Sequence, residues 1–196
     1  AGAHGIDLTL SQGCTVTDNM VFSPDVGVLA DEANHLQVLG NYVFAPRTGF
    51  RAGLREGSKQ PAANVVFVSN RVLTGGAGFE VAGSGMILVG NYAAFLTPGP
   101  AIWIKRGGSH DAVVANNASL AKDGGIRFDA TDGVIAANVP TANGVAGIEV
   151  NGRRVAVTGN ALSGNPVGIR LGTAAAACTV VGNTVEKALE APLVIA

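Results

Sequence analysis

The chain has 196 residues, a net charge of −1, 47% hydrophobic residues and only 14% charged ones. Nothing in that charge marks a surface for nucleic acid or an anionic membrane, and no run of 18 apolar residues is present to span a bilayer. So apolar a chain must bury side chains at regular intervals along its whole length.

Short β-branched stretches, such as Val65-Val66-Phe67-Val68 and Met86-Ile87-Leu88-Val89, alternate with glycine-rich turns. Long helical patterns are missing, so the chain reads as all-β. In chain order, a small residue opens an alternating strand at Gly5-Ile6-Asp7-Leu8, Gly27-Val28-Leu29-Ala30, Gly49-Phe50-Arg51-Ala52 and Gly78-Phe79-Glu80-Val81. The series continues at Ala101-Ile102-Trp103-Ile104, Gly125-Ile126-Arg127-Phe128, Gly147-Ile148-Glu149-Val150 and Gly168-Ile169-Arg170-Leu171. The steps are 22, 22, 29, 23, 24, 22 and 21 residues.

A second landmark, an asparagine closing a short apolar run, falls between successive strands at Asn19, Asn41, Asn70, Asn91, Asn116 or Asn117, Asn138, Asn160 and Asn183. A period near 22 residues is too short for a propeller blade and lacks the leucines of leucine-rich repeats. It suits a single-stranded, right-handed parallel β-helix of about eight coils, with equivalent strands stacked about 4.8 Å apart. Asparagines recurring at one turn can then bond amide to amide along the axis as a ladder. The strand Gly-Ile-x-Val followed by Val-x-Gly-Asn resembles the repeat of the pectate-lyase-like β-helix superfamily over essentially the whole chain. Its members include pectin-degrading enzymes, alginate epimerases, phage tailspikes and non-enzymatic structural proteins.

The repeat register places Cys14 and Cys178 at the same inward position, seven rungs and roughly 34 Å apart. A disulfide needs Cα atoms within about 7 Å, so two free, buried thiols are expected. The whole of 1–196 reads as one β-helix domain without terminal caps, since Ala191-Pro192-Leu193-Val194-Ile195 looks like the start of a ninth coil. A fragment of a longer chain is expected, or ends covered by partner chains in a homo-oligomer. One coil is longer, through the charged excursion Leu54–Pro61, which reads equally as a binding loop or as a tolerated insertion.

Along the opening strands, residues alternate inward and outward. One outward column reads Asp7, Leu29, Arg51, Glu80, Trp103, Arg127, Glu149, Arg170, and its neighbour Thr9, Asp31, Gly53, Ala82, Lys105, Asp129, Asn151, Gly172. In the superfamily that the chain resembles, polysaccharides lie on this face. Trp103, Lys105, Arg127 and Arg170 are the candidate binding residues: the cations for acidic sugar groups, the indole for stacking on a sugar ring. Asp129 and Glu149, with Cα atoms expected roughly 8 Å apart, are the candidate acid and base. The competing expectation is a salt-bridge ladder of Arg127, Glu149 and Arg170 that serves only solubility.

Several motifs are missing. Gly75-Gly76-Ala77-Gly78-Phe79 has Phe79 where a calcium-binding repeat needs aspartate. His4, His35 and His110 lack metal-ligand spacing, and no dinucleotide fingerprint exists, so no cofactor is expected. The Asn-Thr-Asp, Asp-Asp and Gly-His-Gly elements of pectin hydrolases and the Asp-Pro-His of alginate epimerases do not occur. His110-Asp111 falls in a turn, and Asn117-Ala118-Ser119 fits a glycosylation sequon. The expected function is a carbohydrate-polymer-binding or processing module of a larger extracellular, periplasmic or virion-associated, spike-like protein, whose partner is a polysaccharide and neither nucleic acid nor membrane. The alternative is a structural stalk with no ligand site.

Overall fold

A computed structural model of the chain describes residues 3–23, 25–45, 47–53, 60–73, 75–96 and 98–196. Among these, every regular element is a strand and all paired strands run parallel. A nine-stranded sheet holds the opening strands, from His4–Asp7 to Ala191–Ile195, and two eight-stranded sheets hold the strands on either side of the asparagine corner. A further pair, Ala62–Ala63 with Gly83–Ser84, extends the second sheet locally. The chain is therefore the expected right-handed parallel β-helix of eight full turns, and Ala191–Ile195 pairs with Val167–Leu171 to open a ninth. Of the charged excursion, Leu54 to Lys59 lies outside the described residues.

Both landmarks have physical causes. A Cβ on Gly27 would come within 2.2 Å of Val43 Cγ1 and 2.6 Å of the Gly49 carbonyl oxygen. The opening residue is thus small because the third sheet closes directly over it. The residue before each ladder asparagine takes a left-handed conformation, from Ala115 at φ 54° to Gly182 at 65°, which turns the corner and explains the frequent glycine. In the inner coils, inward side chains of all three sheets, among them Phe50, Phe79, Ile102 and Phe128 of the first, Phe67 of the second and Val43 and Val72 of the third, are fully buried. Phe50 and Phe79 stack at 4.8 Å on successive rungs.

The ladder is continuous through all eight coils. Asn138 shows its chemistry: its backbone N–H and Nδ2 both donate to Asn160 Oδ1, at 2.9 and 3.0 Å. Its Nδ2 also donates to the Val113 carbonyl at 2.8 Å. The same bonds join Asn19, Asn41, Asn70, Asn91, Asn116, Asn138, Asn160 and Asn183. Asn116 is thus the fifth rung, and Asn117 points outward on the third sheet. The thiols of Cys14 and Cys178 are free. They are half-buried where burial was expected, because they pack against the core from its first and last full coils.

Two further corners carry ladder chemistry that the sequence reading missed. At one, Ala121 N–H donates to Asn143 Oδ1 at 3.0 Å, and Asn143 Nδ2 donates to Asn165 Oδ1 at 2.9 Å and to the Ala118 carbonyl. At the other stands Asp111, whose Oδ1 accepts from Met86 N–H at 2.9 Å. In every ladder, Nδ2 bonds the carbonyl three residues before the head residue; for Asp111 that carbonyl is Gly83's. A Cβ on Gly108 would meet both Gly83 O at 2.2 Å and Asp111 Oδ2 at 2.7 Å, so the two oxygens share one locality. Asp111 is buried, and its Oδ2 has no hydrogen-bond partner among the described residues. A carboxylate cannot donate there, whereas a protonated acid can. Burial pushes the Asp111 carboxyl up to about 7, against a smaller lowering by the Met86 N–H.

Two outcomes follow. Asn138→Ala strips two buried donors on Asn116 of their acceptor, costing about 3 kcal/mol and lowering the melting temperature by roughly 10 °C; Asn117→Ala leaves it within about 1 °C. For Asp111, the folded state holds its proton more tightly than the unfolded chain, so its contribution is complete below about pH 4 and is lost as pH rises to about 7. Asp111→Asn, which restores the donor, therefore raises the melting temperature by several degrees at pH 8, and this gain shrinks toward pH 4. Thermal melts across pH check both.

Candidate functional site

The parallel register brings the expected outward column together on the first sheet. Arg51 pairs with Glu80, Glu80 with Trp103, Trp103 with Arg127, Arg127 with Glu149 and Glu149 with Arg170. Cross-rung neighbours are a few ångströms apart, so charges on this face must find partners.

They do so around Asp129. Its side chain is only 5% exposed, yet both oxygens are satisfied. Trp103 Nε1 donates to Oδ2 at 2.9 Å, Arg127 Nε to Oδ2 at 3.0 Å, and Asn151 Nδ2 to Oδ1 at 2.9 Å. Lys105 Nζ stands 4.5 Å and Arg127 Cζ 5.1 Å from the centre of the Trp103 ring, within cation–π range. Lys105 also forms an ion pair with Glu80 on the preceding rung, and Thr48 Oγ1 donates to Glu80 Oε2 at 3.4 Å. Arg51 pairs with the buried Asp31 at 2.5 Å.

The ion pairs thus run diagonally between the two outward columns or along one strand. No ion pair joins Glu149 to Arg127 or Arg170 among the described residues, which corrects the expected column ladder. Arg127 leans along its own strand instead, because the buried Asp129 carboxylate has more to gain from a cation than the solvated Glu149 has. Asn151 connects the two acids, since its Nδ2 also lies 3.5 Å from Glu149 Oε1.

Beside this network lies a cleft of 360 Å³, lined by Arg47, Thr48, Glu80, Trp103, Asp123, Arg127 and the turn Pro98-Gly99-Pro100. A smaller hollow of 230 Å³, lined by Arg51, Gly53, Glu80, Ala82 and Lys105, lies across the Glu80–Lys105 pair. Of the residues singled out from sequence, Trp103 and Arg127 line the cleft, Lys105 lines the hollow, and Asp129 lies beneath them as their anchor. Glu149 and Arg170 continue the column beyond the cleft. Arg47 and Asp123 come from turns whose reach over the sheet no periodicity reveals, and Thr48 opens the strand Thr48–Ala52. Glu80 was legible as a member of the column next to Trp103. Among the described residues, no three His, Cys, Asp or Glu side chains gather as a metal site.

A family model described as a right handed beta helix region matches residues 52–185. None of the curated protein sequences matches. Solved structures do resemble the chain. The A-module of the Azotobacter vinelandii mannuronan C-5 epimerase AlgE6 superposes with a TM-score of 0.79 at 15% identity, over 95% of this chain and 57% of that one. Tailspike protein 3 of bacteriophage CBA120 gives 0.65 at 10% identity, over 98% and 38%. The periplasmic alginate epimerase AlgG gives 0.59 at 13%, over 98% and 47%. The chain thus spans 57% or less of the length of these three structures.

Removing the anchor tests the network. Asp129→Ala leaves the Trp103 N–H and two further donors without an acceptor, at a cost of about 2–3 kcal/mol, and it frees the chain's single tryptophan. The expected readout is a red-shifted, more quenchable emission together with a lower melting temperature, whereas Glu149→Gln changes neither.

Proposed function

The chain belongs to the right-handed β-helix family, and we propose that it is a carbohydrate-polymer-binding module holding its ligand across the outer face of the first sheet. The observation that carries this reading is the cleft at Trp103, where an indole is held between Lys105 and Arg127 above a buried acid and Arg47 lines the wall. The hollow beyond Glu80 and Lys105 continues it along the axis, as an extended ligand requires. Support also comes from the solved relatives, which include a mannuronan epimerase, an alginate epimerase and a tailspike. On the same basis the chain is proposed to act within a larger extracellular, periplasmic or virion-associated protein.

The cleft favours acidic sugars. Because two cations already lie against the indole, a sugar approaching Trp103 meets guanidinium and ammonium groups as well as the ring. Arg47, with 72% of its side chain exposed, and Arg127 are placed to hold carboxylates, and Arg170 and Lys105 extend the cationic track on either side. If turnover accompanies binding, Asp129 and Glu149 are the acid–base pair, joined through Asn151. Glu149 is then the member free to exchange a proton, and Asp129 the one that positions it.

One observation favours the stalk instead: Asp129, Arg127, Trp103 and Lys105 all satisfy one another without a ligand. Polymer depletion decides between the two. Binding reads as loss of free protein to insoluble or precipitated polyuronate and to a neutral glucan, at low and high salt. The expected result is retention by the polyuronate, weakened severalfold by Arg47→Ala and by raised salt, and weakened at least tenfold by Trp103→Ala with its fold retained. Retention by no polymer, or retention indifferent to both substitutions, leaves the stalk.

A further inference from the structure

The two central outward columns of the second sheet carry no charge; its charged residues, Asp132, Arg153 and Arg154, stand at one margin. In each of its eight strands an inward residue, from Val16 to Val180, is flanked by two outward ones. All sixteen outward residues are aliphatic, threonine or glutamine. The centre is the most apolar part: Val66, Val68, Ile87, Val89, Val114 and Val134. Ile87 is 38% and Val134 41% exposed. These residues stand in the middle of the stack, so their exposure is not an effect of the terminal rungs.

Polar groups confine themselves to the margins. Thr15 and Gln37 stand on the first two rungs, and along one edge Arg154 pairs with Asp132 at 2.5 Å. An apolar centre inside a polar rim is how protein interfaces are built, and apolar patches beyond a few hundred square ångströms mark contact sites. The opposite arrangement holds on the first sheet, where acids and bases crowd together.

We propose that two copies of this chain associate face to face through the second sheet. Three features select a second copy as the occupant. The face is flat and built from repeating short side chains, so it complements itself in the way aligned sheets pack, about 10 Å apart. Its two central columns lack charges, so apposing them brings no like charges together, and at the margin Asp132 and Arg154 already neutralise each other, as an isologous contact requires. Its size also fits. Eight rungs about 4.8 Å apart make a face about 35 Å long, and a strand with its corners is about 15–20 Å wide. That amounts to about 600 Å² per copy, the lower end of specific interfaces, and implies a weak, concentration-dependent dimer.

Sedimentation equilibrium between about 1 and 500 μM gives the test, with association expected at tens to hundreds of micromolar. The double variant Ile87→Lys/Val134→Lys is expected to weaken association at least tenfold while its circular dichroism and melting temperature match the parent. Thr141→Lys, on the third sheet, leaves it unchanged. In the unaltered chain, paramagnetic broadening of the Ile87 and Val134 methyl signals by a soluble nitroxide falls as concentration rises. That measurement does not depend on any variant folding. A monomer at every concentration overturns the proposal and leaves the face to a different partner. Association that survives the double lysine variant overturns it too, by assigning self-contact to the strand edges of the terminal rungs. Equal weakening by Thr141→Lys does the same for the third sheet.

Discussion

The structure depends on one amide repeated eight times and buried at the six inner rungs. At the asparagine corner each coil must bend sharply, and the bend leaves backbone N–H and C=O groups pointing along the axis inside the core, where an unmet donor costs 1–3 kcal/mol. Asparagine answers this because one side chain both accepts and donates. Its Oδ1 takes two donors from the preceding coil, and its Nδ2 reaches a carbonyl there and the next asparagine's oxygen. Leucine in that place satisfies nothing, and aspartate lacks the donor. Asp111 shows the difference within the same molecule: it occupies an equivalent slot alone and completes the pattern only as a neutral acid.

Because the ladder fixes register coil by coil, it also decides what the distant first sheet displays. Residues 22 to 29 apart in sequence become cross-rung neighbours, so Glu80, Trp103 and Arg127 stand in one row without local sequence contact. Among the described residues, a ladder orders the corner between the third and first sheets at Asn143 and Asn165. On the coils before that short ladder, turns such as Pro98-Gly99-Pro100 rise beside the sheet and wall the cleft. The cleft thus lies beside the corner between the third and first sheets, while the asparagine corner fixes the register of the coils that line it.

The frame was legible in the sequence because its causes are local and repeated. A small residue is needed where the third sheet closes over the first, and a left-handed residue plus an amide is needed at the bend; both recur at a fixed step. The choice between Asn116 and Asn117 was not legible, since either fits the step and only the inward register separates them. The second ladder was missed because two rungs, Asn143 and Asn165, give one interval and no series. At the site, the column order followed from the period, but the pairing did not. A period sets where Cα atoms lie, whereas Arg127 and Lys105 carry long side chains that select partners by burial. Hence Asp129, two residues along the same strand, captures Arg127 in preference to Glu149 across the rung.

The distribution of charge carries the argument from fold to function. In a parallel stack every position recurs within about 5 Å of its equivalent, so a charged column must alternate in sign or find diagonal partners, and each added charge constrains the rungs on both sides. The least constrained solution is an uncharged column, and the second sheet adopts it in its two central outward columns. The first sheet departs from that solution at Arg51, Glu80, Lys105, Arg127, Asp129, Glu149 and Arg170, and sinks two of its acids, Asp31 and Asp129, almost out of solvent. Solubility alone requires neither buried carboxylates nor a tryptophan bonded to one of them. Both suit the charged ligand proposed for this face, because anchors that are rigid before the ligand arrives lower the cost of binding. It is the departure from the simplest repeat, and no catalytic motif, that distinguishes this face.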